Sequence, residues 1–256
     1  MNRIAAFSVR TLKEITRDPL SYIFCLGFPL VMLVIMTLVN TSIPPEAGMT
    51  VFRIDNLCGG IGMFGLAFVM LFTVINVSKD RSGSFLVRMY ATPMKSSDFL
   101  FGYMFPMLII SAGQLLITFA SSFVISLFTN VQISIAGMFL SFLSLLPSAV
   151  YFVSIGILLG TLFSDKAAPG ISSILISLGS FLGCVFFDAD HTGGVMLTIC
   201  KCLPFYYCTR SARSAMALDL SADSFVIPLV IITVCAVIMA ALATAVFNSK
   251  MKADLS

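Results

Sequence analysis

The residues with chemistry to offer are few, and most of them gather in one stretch. His191, the lone histidine, is followed by Cys200, Cys202 and Cys208, three of the seven cysteines. A metal site or a single bridge is open to such a cluster, but the C-x-C-x5-C spacing matches no zinc pattern, and no metal site is assigned. Cys25, Cys58, Cys184 and Cys235 fall inside or at the edges of apolar runs, where a free thiol acts as a small hydrophobe. Catalytic sets are missing. No glycine is followed by lysine, so the Walker A phosphate loop is absent from these residues. One histidine and two glutamates, Glu14 and Glu46, make a poor metallopeptidase, and no G-x-S-x-G sequence presents a nucleophilic serine. No apolar run carries a charge at its centre, which argues against proton or sodium coupling within this chain. Inside the runs there remain Asn76, Gln114 and scattered hydroxyls. Asn76 and Gln114 are candidates for a substrate pathway, although for Gln114 a hydrogen bond that holds helices together is the stronger reading.

The elements that must position these groups are membrane spans. Of 256 residues, 59% are hydrophobic and 11% charged, and the mean hydropathy is +1.04, far from the composition of a soluble domain. Uncharged runs cover Pro19 to Pro45, Asn56 to Ser78, Phe99 to Ser164, Ala167 to Phe187 and Ser224 to Ser249. The third is 66 residues long and is broken at Asn130 and Gln132, which makes two spans of it and six in all. Pro29 predicts a kink in the first span. Before it, residues 1–18 form an amphipathic helix: Ile4, Phe7, Val9, Leu12 and Ile15 on one side, Arg3, Arg10, Lys13, Glu14 and Arg17 on the other. Such a helix lies in the headgroup boundary, cationic face toward cytoplasm and anionic lipid. Between residues 188 and 223 the apolar stretch is too short to cross, so an extracellular re-entrant hairpin is expected before the last span.

Orientation follows the lysines and arginines. With six spans and a cytoplasmic amino terminus, eleven fall inside and four outside (Arg53, Lys201, Arg210 and Arg213), and both termini are cytoplasmic. The most polar segment, residues 79–102, is then a cytoplasmic loop between the second and third spans.

Three motifs in order resemble the permease subunits of type-2 ABC exporters. The first is "RDPLSYIFCLGFPL", with Arg17, Asp18, Pro19 and Pro29. The second is the loop "GSFLVRMYATPMKSSDFLFG", with Gly83, Ser84, Arg88, Thr92, Pro93 and Gly102. The third is "LPFYYCTRSAR", with Pro204, Phe205, Tyr206 and Arg213. Val87 and Met89 depart from the usual Glu and Leu on either side of the loop arginine. The resemblance implies an all-α integral membrane protein, a single transmembrane domain over residues 1–256 with six helices. It implies that residues 79–102 form a coupling helix seated on a separate ATPase. Gly83 and Pro93 would end that helix, Phe85, Leu86 and Met89 would give apolar contact, Arg88 would meet acidic groups, and Thr92 belongs to the same motif.

The resemblance further implies that ATP and magnesium sit in the partner ATPase, with no cofactor and no catalytic residue in this chain. The partners are that ATPase, a second permease in a homodimer or heterodimer, membrane lipid, and a small-molecule or peptide substrate; nucleic acid has no part. The expected function is multidrug-type export by alternating access of an amphipathic drug, antibiotic or antimicrobial peptide across a bacterial cell membrane. A polysaccharide or lipid-linked glycan exporter and a non-transport scaffold or sensor are the alternatives. A cysteine introduced at Ser84 or Ser96 is expected to react with an impermeant label from the cytoplasmic side of sealed vesicles. Labelling only from the exterior would reverse the loop and sink the orientation.

Overall fold

A computed structural model of the chain describes residues 3–19, 23–44, 50–83, 96–129, 131–188 and 193–253. Every regular element among them is helical. In chain order they are α1 (Arg3–Thr16), α2 (Phe28–Ser42), α3 (Ile54–Ser82), α4 (Ser96–Thr129), α5 (Ile135–Leu162), α6 (Ala168–Leu182), α7 (Gly194–Lys201), α8 (Pro204–Met216) and α9 (Ile227–Ala253). Short π-helical turns, Ile23–Gly27 and Ala222–Val226, lead into α2 and α9.

The core is built around α3. It is apolar on all sides, and from Leu57 to Met70 every residue is buried, which is how a helix without a polar face behaves inside a bundle. Its neighbours are α5, α4, α6, α8 and α2. In lipid the hydrophobic effect does not drive helices together, so close approach and dispersion must do it. The G-x-x-x-G of α5 supplies that approach. A Cβ on Gly156 would lie 2.6 Å from Thr73 Cβ and 2.9 Å from the Met70 carbonyl oxygen, and one on Gly160 2.7 Å from Val77 Cβ. The glycines of α3, three residues apart, serve three neighbours. Gly59 meets Ala212 of α8, Gly62 meets Leu145 of α5 and Leu115 of α4, and Gly65 meets Gln114 of α4. Steps of three residues fall short of a full turn and rotate the contact around the helix.

Five helical segments among the described residues are long and apolar enough to span a membrane: Ile23–Ser42, Ile54–Ser82, Asp98–Thr129, Ile135–Leu162 and Ala222–Lys250. The 66-residue run divides where expected, at Val131–Ser134, and the Ser134 hydroxyl caps α5 by accepting from the Gly137 N–H at 3.4 Å. The fourth run, expected as the fifth span, differs from expectation. Over Ala167 to Phe187 the helix α6 has only 15 residues, about 22 Å of rise. It stops because Gly183 caps it and Cys184 takes φ 57°, a left-handed conformation no helix continues through. Hydropathy runs on through Phe187 while the backbone turns. After it, α7 and α8 are two short helices joined at Cys202–Leu203, both too short to cross ~30 Å. The longer, α8, is sunk against α5, α3 and α9 through Phe205, Cys208, Ala212 and Met216.

Pro29 sits in the first turn of α2. The disturbance falls one turn earlier, as the π turn Ile23–Gly27, which widens the helix around Cys25, whose carbonyl the proline ring would otherwise crowd. Much of the outer surface is greasy: Leu127, Val237, Ile109 and Ile174 are all more than half exposed. Water would not tolerate such a surface, whereas acyl chains do. Hydroxyls within the helices donate back to their own turns, Thr73 to the Val69 carbonyl and Ser111 to the Met107 carbonyl, both at 2.8 Å. Replacing Gly156 with Val should force α5 from α3 and cost about 1–3 kcal/mol. A thermal melt in detergent checks it: the midpoint should fall by several degrees, and an unchanged midpoint would mean that the contact is not tight.

Candidate functional site

At the end of the bundle where α3 stops and α4 starts, one carboxylate joins three helices. Asp80, on the last turn of α3, is buried. Arg10 of α1 donates to it through both terminal nitrogens, Nη1 to Oδ2 at 3.0 Å and Nη2 to Oδ1 at 3.1 Å. The Tyr103 hydroxyl of α4 donates to Oδ2 at 2.7 Å. Arg10 also reaches Glu14 one turn on, at 2.8 Å, and Lys79 stands 3.9 Å from the same glutamate. Burial works against the Arg10 charge, but hydrogen bonds to Asp80 and the nearby carboxylates outweigh it and hold the guanidinium above its ordinary range. Below the ion pair, Phe7 stands edge-on to Phe99 and Tyr103, with centroids 5.5 and 5.0 Å away. It fits because position 102 is glycine: a Cβ there would lie 2.2 Å from the Phe7 ring. Arg81 ties the same end of α3 to α5 by donating to the Thr161 carbonyl oxygen.

This geometry changes the reading of α1. Phe7, Thr11 and Ile15 form a stripe buried against α4, so part of the apolar face meets protein. Arg10, assigned by the helical wheel to the solvated cationic face, turns to Asp80 instead. The wheel sees direction but not partners, and Asp80 lies 70 positions away.

Gly83 caps α3 in an extended conformation, its N–H donating to the Lys79 carbonyl at 3.0 Å, so α3 runs through Ser82, four residues past the expected end of the span at Ser78. Phe85, Leu86, Arg88, Met89, Thr92 and Pro93 lie outside the described residues. Asn76 donates through Nδ2 to the Phe72 carbonyl of its own helix at 2.8 Å. Gln114 is buried against Gly65, donating to Thr118 Oγ1 at 3.0 Å, and its Oε1 has no partner among the described residues. Its bond is therefore within α4, and its contact with α3 is one of packing. The cysteines do not converge. Cys200 packs with Cys184 and Tyr206, Cys208 joins the main core, and Cys202 is exposed. His191 lies outside the described residues, and among those described no three His, Cys, Asp or Glu side chains gather as a metal site.

Sequence reasoning missed a groove of about 710 Å³ between the α2 segment, α3 and α6. Phe24, Phe28, Phe64, Phe68, Phe181 and Phe186 wall it, and Ser173, Ser177 and Ser180 present a line of hydroxyls from α6. Neither Asn76 nor Gln114 lines it. The signal was in the sequence as phenylalanines one turn apart in α3 (Phe64, Phe68, Phe72) and serines in α6, but nothing there says which helix faces meet. At the opposite end, Arg213 of α8 staples the fold. Its Nε donates to the Asn56 carbonyl and its Nη2 to the Val185 carbonyl, both at 3.1 Å.

Among the described residues, ion pairs sit toward the ends of the helical bundle, and an apolar groove opens between the α2 segment, α3 and α6. The profile of the ABC-2 type transporter family matches residues 2–217. The chain belongs to that family, as a multi-pass membrane permease component whose family implies an ATPase partner. No curated protein matches it. Arg213→Met should leave the Asn56 and Val185 carbonyls without their bridging donor and cost about 1–3 kcal/mol. Arg213→Lys should restore little, since one ammonium lacks the span of the guanidinium fork. Equal melting midpoints for Arg213→Met and the parent chain would contradict the staple.

Proposed function

We propose that the chain is the membrane half of an ATP-driven exporter for an amphipathic substrate, such as a drug, antibiotic or antimicrobial peptide. The observation that carries the reading is the phenylalanine groove. Its volume lies within the range of about 300–1,000 Å³ typical of drug-sized sites, and it combines apolar walls with a few aligned hydroxyls. A polyhydroxylated glycan would need more hydrogen-bonding partners than three serines. An open groove of this kind in lipid would fill with acyl chains, and a second permease set against α2 and α6 is what turns it into a pathway.

The α1 end faces the cytoplasm in this proposal, consistent with the excess of lysine and arginine there. Of residues 79–102, those between α3 and α4 then receive the ATPase, with Gly83, Phe85, Leu86, Arg88, Met89, Thr92 and Pro93 at the contact. ATP and magnesium are held by the partner. The segment α6 reaches partway from the cytoplasmic side, and α7 with α8 complete the outer leaflet as a hairpin, giving the fifth of the six crossings in pieces. The α1 helix rests at the inner membrane surface with Lys13 and Arg17 toward anionic headgroups.

Reconstitution with candidate ATPase subunits from the same source tests the proposal. Phe28→Ala and Phe181→Ala remove partly exposed groove walls without opening the core. Together they should raise the half-saturating concentration of a transported amphipathic dye about tenfold, as expected for two aromatic contacts of roughly 0.5–1.5 kcal/mol each. ATPase capture should be unchanged. Unaltered dye export in that variant would move the pathway elsewhere, and failure of the wild-type chain to retain any ATPase would remove the transport reading altogether.

A further inference from the structure

We propose that Asp80 is a positioning residue that locks both ends of the 84–95 segment and α1 into one rigid unit, so that force delivered at that segment moves three helices together. The inference rests on the reading that an ATPase acts on residues 79–102. The geometry itself does not.

Asp80 stands just before the end of α3 and Tyr103 near the start of α4, so the two mark either side of residues 84–95. They are 23 positions apart in the chain, and their oxygens are 2.7 Å apart. Arg10 reaches the same carboxylate from α1 with a two-pronged hydrogen bond. Bidentate guanidinium–carboxylate pairs fix angle as well as distance. A buried carboxylate also makes the joint nearly all-or-none: separating it from its partners strands a charge away from water, far costlier than parting an exposed pair. The Arg53–Asp55 pair at the other end of α3 is such an exposed pair, and it links only neighbours in sequence. Phe7, fitted over Gly102 and between Phe99 and Tyr103, adds apolar contact to the same joint. Below it, Gly83 is where α3 ends in extended backbone, the natural place for the chain to bend. The lock sits immediately on the bundle side of that bend. Motion of the segment is therefore passed into α1, α3 and α4 together.

The test uses the permease co-expressed with candidate ATPase subunits from the same source and reconstituted in proteoliposomes. The variants are Asp80→Asn, Arg10→Gln, Tyr103→Phe and the exchange Arg10→Asp/Asp80→Arg. Three quantities are read: ATPase captured, KM for ATP, and permease-dependent kcat. Asp80→Asn and Arg10→Gln should lower kcat about tenfold with capture and KM unchanged, Tyr103→Phe should lower it less, and the exchange should recover at least half. Unchanged kcat in the single variants overturns the lock. So does a loss of kcat that follows the loss of captured ATPase, since that reports folding alone. If the wild-type chain captures no ATPase, the exporter reading fails and the lock is judged on the permease alone in nanodiscs. There, Asp80→Asn should speed amide exchange across Arg3–Thr16 at least tenfold while the middle of α3 is unaffected, and the exchange variant should slow it again. Unaltered exchange in α1 overturns the lock independently of any partner.

Discussion

The fold depends on how closely α5 can approach α3. Acyl chains are as apolar as leucine, so helices in a bilayer gain nothing from hiding side chains from water and must be held by contact itself. At Gly156 and Gly160 the backbone of α5 comes within van der Waals reach of Thr73, Val74 and Val77. That contact makes α3 the axis of the bundle. With α3 enclosed, its neighbours are arranged by which part of it is left to cover: α4 by Gly62 and Gly65, α8 by Gly59, α6 and the α2 segment by the phenylalanine row. The rim helices α2 and α9 keep much of their apolar surface outward, where lipid completes the packing.

Because the interior is apolar, ionic structure is confined to the two ends, and the ends differ in kind. Near α1 the joint is charge against charge, Arg10 with Asp80, reinforced by a phenol. At the far end Arg213 instead holds neutral backbone carbonyls from α3 and from the turn after α6. A pair of opposite charges is sensitive to separation at longer range than a hydrogen bond to a carbonyl, which is lost within a fraction of an ångström. The first is suited to a joint that carries load between helices, the second to one that fixes backbone in place.

The sequence revealed the class of fold because periodicity is irrelevant in lipid and run length is decisive. The runs and the break before Ile135 could be read from residue order. The shortness of α6 could not, since hydropathy continues through Val185 and Phe187 while the stop lies in the left-handed backbone of Cys184, an unusual state for a residue with a side chain. Arg10 illustrates a different limit. Its position on a helical wheel says that it lies among cations, but its partner comes from a helix 70 positions away, and only the packing of Phe7 over Gly102 brings the two together. The groove was hidden for the same reason: seven phenylalanines from three segments line it only after those segments have chosen their neighbours.

The two ends and the groove make one mechanical argument. The groove is bounded along its length by α3 and α6, and α6 begins after the Ser164–Ala167 turn and stops at Gly183, so its wall is short. Past that stop, Val185 is held by Arg213, and Phe186 is packed edge-on to Phe64 at 5.6 Å. The far end of the wall is thus pinned to α8 and to the start of α3. At the near end, α3 is joined to α1 and α4 through Asp80 and to α5 through Arg81, while α6 has no comparable tie to that joint among the described residues. A displacement applied near Gly83 therefore reaches the α3 wall of the groove directly and the α6 wall only through its pinned far end. In the proposed exporter the two walls must then part or close like a hinge anchored at the Arg213 end, with the opening widest nearest the lever.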